Sequence, residues 1–142
     1  MESVKIYLSG GMTELTLDEQ MKWRSQIINA LKYGEFDVKK NLSFFSPPEY
    51  YNFESKDYKS EREVFEFDLS QLRNSNLVIV NFNAPQSMGT AMELMLAKEL
   101  RIPVIGLNKD GTELHPWLIE CCTRICDNMR ELISHVATFY LS

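Results

Sequence analysis

Leu77-Val78-Ile79-Val80-Asn81-Phe82, followed by Asn83-Ala84-Pro85-Gln86-Ser87-Met88-Gly89-Thr90-Ala91-Met92-Glu93-Leu94-Met95-Leu96-Ala97, is the stretch that decides the fold. An almost unbroken apolar run of this kind is what a parallel sheet buries on both faces. A short loop follows, then a small-residue turn, then apolar periodicity that predicts a helix over Met88–Arg101. Glu93 falls in the second turn of that helix. The opening turn offers free backbone N–H groups and the positive end of the helix dipole, suited to a phosphate or hydroxyl. A carboxylate one turn further in, above the carboxyl edge of a sheet, is placed to attack or orient a small molecule. On this stretch alone, a solvated glutamate on a surface helix fits equally well.

Working outward, Val4-Lys5-Ile6-Tyr7-Leu8-Ser9 reads as a first strand ended by Gly10-Gly11. Thr16-Leu17-Asp18-Glu19 is a capping-box pattern that opens a helix running to Tyr33. Met21, Trp23, Ile27, Ile28 and Leu31 lie near helical spacing, so Trp23 reads as core rather than ligand contact. Ser43-Phe44-Phe45-Ser46 is a short second strand stopped by Pro47-Pro48, and Glu49 to Lys59 reads as a loop. A second capping-box pattern, Ser60-Glu61-Arg62-Glu63, opens a helix with Val64, Phe67, Leu69 and Leu72 on its apolar side and Asp68 beside them. After the third strand and its helix come a fourth strand, Pro103–Leu107, and a short helix from His115-Pro116-Trp117-Leu118 through Cys122. Arg124–Cys126 is a fifth strand, and Met129 to Tyr140 a closing helix. Strands and helices alternating at this spacing predict one α/β domain over residues 1–142, a flavodoxin-like (Rossmann-like) five-stranded parallel sheet of order 2-1-3-4-5 with helices on both faces. Ligands in such sheets bind where strands one and three diverge, which puts Ser9-Gly10-Gly11-Met12 and Asn83 to Thr90 on one rim.

Composition narrows the partners. With 142 residues, 44% of them hydrophobic, the chain suffices for one core. A net charge of −5 argues against a nucleic-acid polymer as partner but leaves a small anionic ligand open. Cys121, Cys122 and Cys126 lack zinc-type spacing to a second pair, so no metal site is expected, and reduced thiols fit a cytoplasmic setting. No signal peptide or membrane span is read, and no cofactor is called for.

On this topology Tyr7, Asp68 and Glu93 should converge. Two carboxylates and a phenol above a glycine-rich rim suit cleavage of a glycosidic bond. One carboxylate attacks the anomeric carbon while the other protonates or hydrogen-bonds the departing group. The phenol can hold the nucleophile in one rotamer. Taken singly, Tyr7 also fits an ordinary strand aromatic and Asp68 a solvated helix residue.

Lys5-Ile6-Tyr7-Leu8-Ser9-Gly10-Gly11-Met12, then Asp68 with Leu69 and Leu72, then Ser87-Met88-Gly89-Thr90-Ala91-Met92-Glu93-Leu94 resembles the nucleoside 2-deoxyribosyltransferase superfamily. That group includes the 2′-deoxynucleoside 5′-monophosphate N-glycosidases. The resemblance extends in order and spacing to Pro103-Val104-Ile105-Gly106 and His115-Pro116-Trp117-Leu118. It implies that Glu93 is the nucleophile that takes the deoxyribosyl group at C1′, that Asp68 assists departure of the nucleobase, and that Tyr7 orients Glu93. It makes Ser9, Gly10, Gly11, Met12, Ser87 and Gly89 candidate substrate-binding positions. Ser87 matches the position facing the sugar's 5′ end, where transferases acting on free nucleosides carry an acid and monophosphate hydrolases a serine. A basic residue that the phosphate-binding hydrolases place near Met12-Thr13 is missing here. Many relatives carry Asp where Asn76 stands, which reads as structural. His115 and Trp117 lie where relatives complete the pocket from a neighbouring subunit, so a homodimer or larger homo-oligomer is expected; Trp117 packed on the C-terminal helix is the alternative. Phe44, Phe45, Tyr50 and Tyr51 fit either a base pocket or core. A non-catalytic nucleotide-binding module is the rival reading, and it would not need a nucleophile beside a general acid. A phospho-receiver would need an acidic cluster after strand one, which Ser9-Gly10-Gly11 does not supply.

Overall fold

The computed structural model describes residues 1–51 and 60–142. The part of the Glu49–Lys59 loop over residues 52–59 lies outside the described residues. The chain folds as β1 (Ser3–Gly10), α1 (Leu17–Tyr33), β2 (Asn41–Phe45), α2 (Glu61–Arg73), β3 (Leu77–Asn81), α3 (Met88–Glu99), β4 (Val104–Leu107), α4 (Pro116–Cys121), β5 (Arg124–Cys126) and α5 (Met129–His135). All five strands run parallel in the order β2-β1-β3-β4-β5, as the sequence pattern predicts. In β1 and β3 the register pairs Tyr7 with Val78 and Ser9 with Val80.

The alternation of side chains along the strands divides the core in two. Ile6, Leu8, Ile79, Ile105 and Leu107 pack with Trp23, Ile27 and Leu31 of α1 and Leu132 and Ile133 of α5. Tyr7, Val78, Val80 and Val104 pack on the other face with Phe45, Leu72 of α2 and Leu94 and Ala97 of α3. Both faces of β3 are therefore buried, which is why Leu77–Val80 carries no polar residue.

Local chemistry fixes the ends. Thr16 and Glu19 form the reciprocal capping box read from the sequence. At Ser60 the side chain accepts from the Glu63 amide, 3.2 Å away. Asn76 is structural: its carboxamide oxygen accepts from the Lys5 amide at 2.8 Å while its own amide donates to the Lys5 carbonyl at 2.8 Å, seating the entry of β3 against β1. Two boundaries differ from the sequence pattern. The third helix ends at Glu99, because the turn through Arg101 takes a positive φ of 59° that a helix cannot continue. The closing helix is α-helical only to His135 and widens to π-type turns over Val136–Tyr140, bringing the Phe139 and Tyr140 rings to 4.9 Å.

Candidate active site

Tyr7 and Ser9 stand two residues apart on β1, so both project to the α3 face, and both are fully buried. Glu93 descends from the second turn of α3 onto them. The Ser9 hydroxyl donates to Oε1 of Glu93 at 2.9 Å, and the Tyr7 phenol donates to Oε2. Both carboxylate oxygens are thus held, and the side chain has one orientation. Glu93 borders a cavity of about 280 Å³, at the small end of the range for small-molecule sites. Across that cavity lies Asp68 of α2; the first loop contributes Gly10, Met12, Thr13 and Glu14, and the opening of α3 contributes Ser87, Met88, Gly89 and Thr90.

The rim is built by close packing. A Cβ at Gly10 would lie 2.7 Å from the Trp23 ring, and one at Gly11 would lie 2.5 Å from Cβ of Ala84, so only glycine lets the loop lie this low. Gln20 of α1, fully buried, donates to the carbonyls of Met12 and Leu15 at 2.8 and 3.0 Å and ties the loop down. Ser87 caps α3 by accepting from the Thr90 amide at 3.3 Å and the Thr90 hydroxyl at 3.1 Å. The amides of Met88 and Gly89, in the first helical turn, have no acceptor within the helix and stand at the cavity wall.

The electrostatics separate the two carboxylates. Burial pushes Asp68 up from 3.8 to about 7, the Glu93 charge adds to the rise, and the positive charge of Arg24 opposes it. Oδ1 of Asp68 is buried and has no hydrogen-bond partner in the protein. Burial also raises Glu93, but the hydrogen bonds from Tyr7 and Ser9 and the Arg24 charge pull it back down. Tyr7 is held well above its usual value by burial and by the charges of Glu93 and Asp68, so its proton stays on the phenol and it can only donate to Glu93. Near neutral pH Asp68 is about half protonated, and it shares the cavity with a Glu93 that burial raises as well. Two carboxyl groups in unlike surroundings are able to take unlike roles.

Not every residue singled out from the sequence lines this cavity. Ser9 is buried outside the lining with its hydroxyl donating to Glu93, and Gly11 is buried with its amide 3.4 Å from the Asn83 carboxamide oxygen. His115 caps α4 by accepting from the Trp117 amide at 3.1 Å, and neither residue borders the cavity within one chain. Trp117 is 77% exposed, which excludes its packing on the C-terminal helix of its own chain. Phe45, Tyr50 and Phe67 form a ring cluster, with centroids 5.0–5.6 Å apart, that backs Tyr7. Phe44 turns to the α1 face instead, with Lys32 over its ring. Arg24, fully buried on α1, is a charged residue that pattern reading passed over. The signal was present: Gln20, Trp23, Arg24, Ile27 and Leu31 form the buried stripe of α1, and a cation in such a stripe needs a reason. Among the described residues no cluster of three His, Cys, Asp or Glu could hold a metal, and no helix is long and apolar enough to cross a membrane.

Two unlike carboxylates thus stand over a glycine rim beside β1 and β3. The sequence model of nucleoside 2-deoxyribosyltransferase covers residues 6–135, and the chain belongs to that family. Solved structures agree on the fold. A conserved protein from Enterococcus faecalis V583 superposes with a TM-score of 0.74 at 18% identity, over 96% of this chain and 98% of its own. The 2-deoxyribosyltransferase from Bacillus psychrosaccharolyticus gives 0.70 at 19% identity, over 92% and 90%. A CMP N-glycosidase from Clostridium botulinum gives 0.60 at 16%, over 95% and 99%. A search of curated proteins gave no match.

Proposed function

We propose that the protein cleaves the N-glycosidic bond of a nucleoside or its 5′-monophosphate, by way of a glycosyl ester on Glu93. The observation that carries this reading is the grip of Tyr7 and Ser9 on both oxygens of Glu93, with the raised carboxyl of Asp68 in the same cavity. An oxygen of the Glu93 carboxylate attacks C1′, the bond from C1′ to the base nitrogen breaks, and its electron pair leaves with the base. Asp68 delivers a proton to the departing base and becomes the carboxylate. A second base, or water activated by Asp68, then displaces Glu93 and restores both groups. Among the structural relatives, one is named a transferase and another a CMP N-glycosidase, so both resolutions of the intermediate have a precedent in this fold.

At the 5′ end the amides of Met88 and Gly89 and the Ser87 hydroxyl are the available donors. Glu14 and Glu61 also border the cavity, and none of its described lining residues is Lys or Arg. This supports a site that accepts a 5′-phosphate weakly and a 5′-hydroxyl readily.

A second copy of the chain is proposed to cover the outer side of the site. Met88, Met92 and Met95 recur one turn apart on α3 and are 75%, 49% and 47% exposed; Phe65 of α2 is half exposed beside them. Met88, Met92 and Phe65 also border the cavity, so covering this face would close it.

Incubation with a panel of nucleosides and 5′-monophosphates, with and without a free acceptor base, tests the reading by chromatography of released and exchanged base. Binding without base release from any member would leave the non-catalytic module as the account. Mass spectrometry of protein incubated with a slowly turning-over 2′-fluoro nucleoside should find the sugar on Glu93.

A further inference from the structure

Arg24 is 1% exposed and makes no ion pair within salt-bridge distance among the described residues. Its Nε donates to the Leu8 carbonyl at 3.2 Å and its Nη1 to the Gln20 carbonyl at 2.6 Å, while its guanidinium lies 4.5 Å from the Trp23 ring centroid. Nη2 is buried without a partner, 3.5 Å from where a Cβ on Gly10 would stand. Leu8 is the residue between Tyr7 and Ser9, the two that hold Glu93. An uncompensated buried cation is costly, and the same space filled by Leu or Met would stabilise the core more readily. A guanidinium held here by neutral carbonyls has a use only if its field falls on something charged.

Resting on the reaction proposed above, we infer that Arg24 is a positioning residue of this site, a fixed cation buried beneath the Gly10 rim that anchors the strand segment carrying Tyr7 and Ser9 and whose charge favours an ionised Glu93. The chemistry calls for it. Glu93 must be charged to attack, yet it is buried, a condition that favours the neutral acid. Two hydroxyl donors help, but neither carries charge. A carbonyl-pinned arginine supplies a charge that does not move, lose its proton at working pH or occupy the cavity. Burial lowers the Arg24 guanidinium only to about 10, and the charges of Glu93, Tyr7 and Asp68 work against even that. The ionisable groups around Glu93 are Tyr7 from β1, Arg24 from α1 and Asp68 from α2, with Glu14 and Glu61 at the cavity wall; β3 contributes none.

The test follows the titration of Glu93 directly, by carbon NMR of protein labelled at the glutamate and aspartate carboxyls, with Glu93→Gln and Asp68→Asn assigning the signals. In the unaltered protein Glu93 should lose its proton at lower pH than Asp68. Arg24→Met should raise the Glu93 midpoint by about one pH unit or more, a tenfold or larger gain in proton affinity. Arg24→Lys, which keeps the charge but not the fork, should stay within about half of that. The acid limb of kcat/KM for base release should move with the midpoint. A folded Arg24→Met protein with an unmoved midpoint would overturn the inference, since a merely structural arginine would alter melting alone. If Arg24→Met does not fold, the unaltered protein decides: a Glu93 midpoint at or above that of Asp68 is equally fatal. The titration needs no turnover. Absence of base release would therefore sink the proposed reaction and leave the charge effect of Arg24 separately measured.

Discussion

Asp68→Asn should make the protein more stable, and only above mildly acidic pH. Asp68 stands at about 7 in the folded chain against an ordinary 3.8, because burial and the Glu93 charge disfavour its ionised form. Below about pH 4 it is protonated both folded and unfolded, and it costs no stability. As pH rises the unfolded chain releases this proton first, so stability drains away until the folded group ionises near pH 7 and the difference levels off. About three pH units at about 1.4 kcal/mol each is roughly 4 kcal/mol, and solvent reaching a half-buried carboxyl reduces this to roughly 2 kcal/mol. For a chain of this size that corresponds to a Tm gain of about 4–8 °C for Asp68→Asn at pH 8. The pH dependence is the discriminating part. Any packing change from the amide is constant with pH, and Oδ1 has no hydrogen bond to lose. Melting curves by circular dichroism from pH 4.5 to 8.5 for both proteins would read the effect. A Tm difference that stays constant over that range would refute a raised Asp68, and with it the assignment of Asp68 as proton donor.

Glu93→Gln should abolish base release, by several orders of magnitude, in a protein that still folds, because the lost group faces a cavity; more than about a tenth of the original rate would exclude a covalent role. Ser87→Asp keeps a good helix cap but brings a negative charge to the 5′ end, so kcat/KM should fall for a monophosphate and hold for the matched free nucleoside. An unaltered protein that ignores monophosphates altogether would remove the phosphate from the reading. Met92→Glu should shift the mass seen by light scattering from two copies toward one at micromolar protein, whereas a protein that is monomeric to begin with would leave the methionine face without its proposed cover.

The sequence by itself determined the architecture and pointed to three candidate groups that the fold brings together. Leu77–Val80 is apolar without alternation because β3 is covered on both sides, and that forces a parallel sheet with helices on each face. Once the order of strands follows, Tyr7, Asp68 and Glu93 can only meet above β1 and β3. Those facts are legible because periodicity and chain connectivity are properties of the order of residues. What only the tertiary structure decided is how the charges are balanced. Ser9 reads from the sequence as a rim residue, and the fold gives its hydroxyl Glu93 as a partner at 2.9 Å. Phe44 and Phe45 are neighbours in sequence and end on opposite faces of the sheet. Arg24 is seventeen residues from Tyr7 and far from Glu93 along the chain, and only its place in the buried stripe of α1 sets it apart. It lies beneath the Gly10 rim, where glycine leaves room for the Trp23 ring beside it. Electrostatic energy depends on distance and burial in space, and neither is written in the spacing of residues along a helix.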